Sequence, residues 1–183
     1  MFTFKKHYYL YVENSKQIDI TKIRIRNKFS VIYRNYKKKE KVQDLLKFRN
    51  LCRSKNINFF VINSKKLSVL LNADGIYLSS HNKGKFYYNK IIIGSAHNYR
   101  EICEKKRQGC KTIIVSRLFK TNYKNKKSFL GLVRFNIFFG KNYVALGGIR
   151  TSNLNKLRIL QSDFIAILSE IKKKPAKIIN RLF

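Results

Sequence analysis

The chain has 183 residues, 44% of them hydrophobic, which is enough for one domain (residues 1–183) with its own core; no run reaches the ~18 consecutive apolar residues of a membrane span. Forty-one Lys and Arg face nine Asp and Glu, a formal charge of +32 that attracts polyanions such as nucleic acid, membranes or phosphorylated metabolites. The acids form no paired-Asp or Glu-x-x-His motif, which argues against general metal hydrolysis, and Cys52, Cys103 and Cys110 lie at no metal-ligand spacing and read as reduced thiols of a cytoplasmic protein without a signal peptide.

In chain order, Tyr8 to Val12 is the first predicted strand. Residues 19–28 alternate Ile20, Ile23 and Ile25 with polar residues and are too short to assign to helix or strand. Phe29 to Arg34 reads as a strand, Lys37-Lys38-Lys39 as a loop, and Glu40 to Arg53 as a helix with Val42, Leu45, Leu46 and Cys52 on one face. Ile57 to Asn63 is a strand, after which Ser64 can cap a short helix holding Leu67, Val69, Leu70 and Leu71. Asn72-Ala73-Asp74-Gly75 turns into the strand Ile76-Tyr77-Leu78, and Ser79-Ser80-His81-Asn82 follows directly.

Ile91 to Ser95 is the next strand. Asn98 precedes a helix over residues 99–108 that Gly109 closes. Thr112 to Ser116 is a strand, Arg117 to Lys127 a polar loop, and Phe129 to Phe139 an apolar helix ending near Gly140. Tyr143 to Leu146 then runs into Gly147-Gly148, with Thr151 or Ser152 as the cap of a helix carrying Leu154, Leu157 and Leu160. A strand entering a helix through glycines suits either a phosphate or a plain tight connection. Phe164 to Leu168 is the last strand. A final helix from about Glu170 bends or starts late at Pro175.

Roughly eight short apolar strands alternating with helices predict an α/β fold with a parallel sheet: a compact TIM (β/α)8 barrel with one or two degenerate helices, the one after Asn82 foremost. A doubly wound open sheet is the alternative. In a barrel the strand tails share one face. Here they are Arg34, Asn63, Ser79 to Asn82, Ser95 to His97, Arg117 to Lys124, Gly147-Gly148 and Ser169, a polar and cationic set suited to phosphorylated ligands.

Four of these stretches, Ala73-Asp74-Gly75-Ile76-Tyr77-Leu78, Ile92-Ile93-Gly94-Ser95-Ala96-His97, Phe119-Lys120-Thr121-Asn122-Tyr123-Lys124 and Ala145-Leu146-Gly147-Gly148-Ile149, with a fifth at Ala166-Ile167-Leu168-Ser169, resemble the thiamine phosphate synthase/TenI family over about Tyr8 to Ile171. The resemblance implies a TIM barrel whose synthase members join an aminopyrimidine diphosphate to a thiazole phosphate, releasing pyrophosphate with magnesium. It implies that Thr121 and Lys124 flank one phosphate, that Gly147, Gly148 and the backbone around Leu168-Ser169 hold the thiazole phosphate, and that Arg34, Asn63 and Ser95 face the pyrimidine diphosphate.

The chain departs from the family's pattern at several positions. Of Gln-x-Arg-x-Lys only Arg34 survives, in Ile32-Tyr33-Arg34-Asn35-Tyr36, and the two magnesium aspartates are replaced by Ser64 and Asn82. Arg117 stands where some TenI-type members carry a tautomerase histidine. Neutral oxygens hold magnesium poorly. Protein cations can stabilise the same leaving charge, and Lys37, His81, Lys83, Lys85 and Arg117 are the candidates. Arg34, His97 and Arg117 are the candidate catalytic residues, His97 having no carboxylate partner visible in the sequence.

Two other readings stay open: a non-catalytic or TenI-like thiazole-phosphate binder, and a nucleic-acid binder. The second would use Lys37 to Lys39, Lys124 with Lys126-Lys127, and Lys172 to Lys174, with Tyr33, Tyr36, Phe119 and Tyr123 for stacking. A homo-oligomer is compatible with all three readings.

Overall fold

Short strands without charge, each followed by a crossover, suit parallel pairing, and eight of them are enough to close a barrel. The computed structural model describes residues 6–23, 27–35, 40–121 and 128–173. Its strands are β1 (His7–Val12), β2 (Phe29–Tyr33), β3 (Asn58–Ile62), β4 (Gly75–Leu78), β5 (Ile91–Ala96), β6 (Thr112–Ser116), β7 (Tyr143–Leu146) and β8 (Phe164–Ile167). They form a closed barrel in sequence order, β8 pairing back onto β1. Every pairing is parallel, so the open-sheet alternative falls.

The helices are α1 (Val42–Ser54), α2 (Lys65–Leu70), α3 (Tyr99–Arg107), α4 (Gly131–Phe138) and α5 (Ser169–Lys173). The α2 and α3 starts follow the predicted chemistry. Ser64 Oγ accepts from Leu67 N at 3.1 Å, and Asn98 Oδ1 accepts from Glu101 N at 2.9 Å.

Elsewhere the helical layer is thinner than predicted. Between β1 and β2 the described residues of the undecided segment hold a 3-10 turn, Ile20–Lys22, capped by Asp19. No helix lies between β4 and β5. After β7 the chain is a 3-10 helix, Thr151–Ile159, and neither Thr151 nor Ser152 caps it. That role falls to Asn153, whose Oδ1 accepts from Arg150 N at 2.8 Å while its Nδ2 donates to Gly148 O at 2.9 Å.

The alternating side chains split into two cores. Tyr9, Tyr11, Ile32, Phe60, Tyr77, Ile93, Ile114, Val144 and Ala166 fill the barrel. Aromatic rings supply most of that volume, with Tyr11 and Tyr77 meeting edge to face at 5.5 Å. The larger core, including Leu10, Val31, Phe59, Leu45, Phe48 and Cys52, lies between strands and helices.

The predicted α1 face needs correction: Leu45 and Cys52 are buried, but Val42 and Leu46 are exposed, and Phe48 and Arg49 take the remaining inward positions. Arg49 can be buried because its Nη2 reaches Asp74 Oδ1 at 2.8 Å and its Nε donates to Asn72 O at 3.1 Å. Pro175, Tyr36, Tyr123, the runs Lys37 to Lys39 and Lys124 to Lys127, and the side chains of Lys172 to Lys174 lie outside the described residues.

Candidate functional site

The carboxyl end of the barrel is built by strand parity. His97 and Ser116 extend the inward-facing rows of Ile93 and Ile114, and the β5–β6 register places Ser95 beside Ile114. The two tails therefore meet, with His97 Nδ1 and Ser116 Oγ 2.6 Å apart. His97 also donates its backbone N–H to Glu101 Oε2 at 2.7 Å, which fixes the entry to α3. Arg34 extends the row of Ile32 and sits over the Tyr11 ring, 5.9 Å from its centroid.

Next to this, the loop after β6 is stitched to the tail of β7. Leu118 N donates to Leu146 O at 2.8 Å, and Phe119 N donates to Gly147 O at 2.9 Å. Gly147 and Gly148 have φ of 105° and 69°. A Cβ on Gly148 would lie 2.6 Å from Phe119 O, so the approach admits only glycine. Arg117 packs against Gly147 and donates through Nη1 to Thr121 Oγ1 at 3.0 Å.

These tails enclose a cavity of about 530 Å³. Of the residues singled out in the sequence, Arg34, His81, His97, Arg117, Thr121, Gly147, Gly148 and Ser169 line it. Asn63 and Ser95 do not. Asn63 exchanges two 3.0 Å hydrogen bonds with Ser79, and Ser95 is buried below the rim. Lys124 lies outside the described residues. Leu168, expected beside Ser169, lines it too; Ser116, Leu146, Ile149 and Ala166 also line the cavity and were not anticipated. Ser116 was legible in principle, as the final residue of its strand with the parity of Ile114.

Two other hollows, about 640 and 620 Å³, open at or near the opposite end of the barrel and hold none of these residues. The smaller cavity is the candidate because the strand tails converge on it.

Among the described residues, the cavity wall contains two arginines and two histidines and no Asp or Glu. Its charge therefore favours an anion. Among the described residues no group of three or more His, Cys, Asp or Glu could hold a metal. Ser64 is spent on the α2 cap. Asn82 faces α3, where its carbonyl accepts from Lys105 Nζ at 2.5 Å and from Gln108 Nε2 at 3.1 Å, and its Oδ1 lies 3.3 Å from Gln108 Nε2. Magnesium asks for carboxylates in an octahedron, and these residues do not fit it. Lys105 is fully buried; burial lowers its pKa below the ordinary lysine value. Among the described residues no helix is long and apolar enough to cross a membrane.

Comparison with known proteins agrees with the barrel. The model of the thiamine monophosphate synthase family matches residues 4–171. A thiamine-phosphate synthase of Prochlorococcus marinus (strain AS9601) is 29% identical over 139 residues, 71% of this chain and 40% of the relative; the chain thus spans well under half of that protein. One from Pelagibacter ubique (strain HTCC1062) is 27% identical over 180 residues, covering 90% of this chain and 87% of the relative. Among solved structures, a thiamine phosphate pyrophosphorylase from Pyrococcus furiosus superposes with a TM-score of 0.67 at 19% identity, covering 99% of this chain and 98% of that one, a likeness of fold. The chain belongs to the thiamine monophosphate synthase family.

Proposed function

We propose that this barrel binds a thiazole phosphate at the Gly147-Gly148 turn and joins it to an aminopyrimidine diphosphate, the reaction that the family resemblance implies. The observation that carries the reading is the convergence of the glycine pair, the Arg117–Thr121 pair and Arg34 on one acid-free cavity. Positive φ at both glycines brings bare backbone beside the Arg117 side chain, a setting for a phosphate dianion.

In the transfer, the bond from pyrimidine carbon to diphosphate oxygen breaks as the bond to the thiazole forms, and pyrophosphate leaves with the electron pair. Arg34 and Arg117 are placed to meet that charge, and a fixed cation in a shielded cavity stabilises a leaving anion more than bulk water does. The interior aromatics close the floor below, so both substrates enter from the carboxyl end. Lys124 belongs to the same proposal as a second phosphate ligand, and a cytoplasmic site of action follows from the class of substrate.

A second reading, a thiazole-phosphate binder without turnover, is favoured by one observation: Ser64 and Asn82 are committed to structural contacts and supply no carboxylate. Incubating the protein with both substrates and following thiamine phosphate by chromatography separates the two. Product above the no-enzyme control supports the transferase; binding of thiazole phosphate without product supports the binder.

A further inference from the structure

We infer that this cavity takes its phosphorylated ligands, the diphosphate included, as metal-free anions, with Arg34 and Arg117 supplying the positive charge and His81 a ring N–H donor. The inference rests on the anion-binding reading above and goes beyond it by naming the ionic form of the ligand. Three independent features point the same way.

The first is the wall itself. A diphosphate bound as its magnesium complex needs carboxylates to hold the ion, and none lines the cavity. The nearby acids have other work. Glu101 accepts from His97 N and Asn98 Nδ2, and Glu170 lies 3.3 Å from both Thr151 N and Thr151 Oγ1.

The second is the loop between β4 and β5, which carries His81. No helix follows β4, so the loop would be loose without an anchor. Lys105 and Gln108, both buried on or just after α3, reach across to hold it: Lys105 Nζ to Asn82 O at 2.5 Å and to Gln108 Oε1 at 2.8 Å, and Gln108 Nε2 to Gly84 O at 2.6 Å. A lysine ammonium thus stands against the backbone of the very segment that would have to present a metal ligand. Like charge there opposes a divalent cation. Gly94 makes room for this lysine, since a Cβ at that position would lie 2.9 Å from Lys105 Cγ and Cδ.

The third is the choice of cation. Arg34 and Arg117 are guanidinium groups, which pair with phosphate oxygens through two parallel hydrogen bonds and hold charge at all relevant pH values. They sit on different strand tails, after β2 and β6, so a ligand with two phosphoryl groups can meet one at each side of the cavity.

The test is calorimetry with inorganic pyrophosphate as the probe, in EDTA and in excess magnesium, with thiazole phosphate titrated in parallel. Pyrophosphate is expected to bind in EDTA and to bind more weakly when magnesium sequesters it. Arg34→Ala and Arg117→Ala, checked for fold by circular dichroism, should each weaken binding in EDTA tenfold or more. Because Arg117 packs on Gly147, His81→Ala on its exposed loop serves as the independent variant and should weaken it severalfold.

Pyrophosphate binding that appears only with magnesium overturns the inference, as does binding in EDTA that none of the three variants weakens. Failure of thiazole phosphate alone to bind would sink the thiazole reading of the cavity while leaving metal-free pyrophosphate binding standing.

Discussion

The two ends of this barrel are both polar and both basic, yet they spend their charges differently. At the amino end, the polar groups close on one another. Lys6 Nζ donates to Leu160 O and Ser162 O, each at 2.7 Å; Arg49 is held by Asp74 and Asn72; His7 Nε2 meets Ser30 Oγ at 2.8 Å; Lys90 Nζ reaches Ala73 O at 2.9 Å. At the carboxyl end, the described residues lining the cavity include two arginines and two histidines and no acid. Buried polar groups whose partners lie within the fold hold it together, whereas cations that line a hollow, even with contacts such as Arg117 to Thr121, also face a space a ligand can fill. Chain charge of +32 alone could not have told these two roles apart.

The comparison breaks if variants at one end act like variants at the other. The largest stability loss should come from Gly75→Ala at the amino end of β4, where an added Cβ collides with the Ile91 carbonyl and lies 2.9 Å from Phe60 Cε1. Splitting β4 from β5 should cost about 3 kcal/mol or more in urea unfolding. Arg49→Ala, which takes the guanidinium from Asp74 Oδ1 and the Asn72 carbonyl while Asp74 Oδ2 keeps Phe59 N, should cost about 2 kcal/mol, with thiazole phosphate affinity unchanged. Arg117→Ala at the other end should reverse the pattern. Affinity should fall tenfold, about 1.4 kcal/mol, with the unfolding midpoint nearly unmoved.

The smallest effect is a pH dependence. Burial lowers the pKa of His7 below its ordinary 6.5, with the Asn27 carbonyl opposing in part. The unfolded chain then binds that proton more readily than the folded one. His7 therefore costs nothing at pH 8 and subtracts stability as pH falls through about 6.5 toward its lower folded value. His7→Gln should flatten the fall in Tm between pH 7.5 and 5.5.

How much of this was readable in the chain follows from which forces are local. The strands were, because uncharged runs such as Val144-Ala145-Leu146 have no other use, and the Ser64 cap was, because it acts three residues away. The α1 face was misread because Arg49 is buried by a partner 25 residues later, which periodicity cannot show. Nothing in the sequence singles out Lys105, because its burial depends on a loop 23 residues earlier.

At the rim, Asn63 carried the chemistry of a ligand, but a neighbouring strand supplied Ser79 to satisfy it. His97 had no carboxylate in view, and its ring partner is instead a serine on the adjacent strand. In each case the residue type was legible and the pairing was not, because register decides pairing.

Calorimetric titration of thiazole phosphate into the wild-type protein, Gly148→Ala and Arg49→Ala tests the central claim most directly. The account predicts saturable binding to wild type, at least tenfold weaker binding to Gly148→Ala because its Cβ pushes the Phe119 and Lys120 carbonyls away, and wild-type affinity in Arg49→Ala. Equal affinity in wild type and Gly148→Ala, or no binding to wild type, would contradict it.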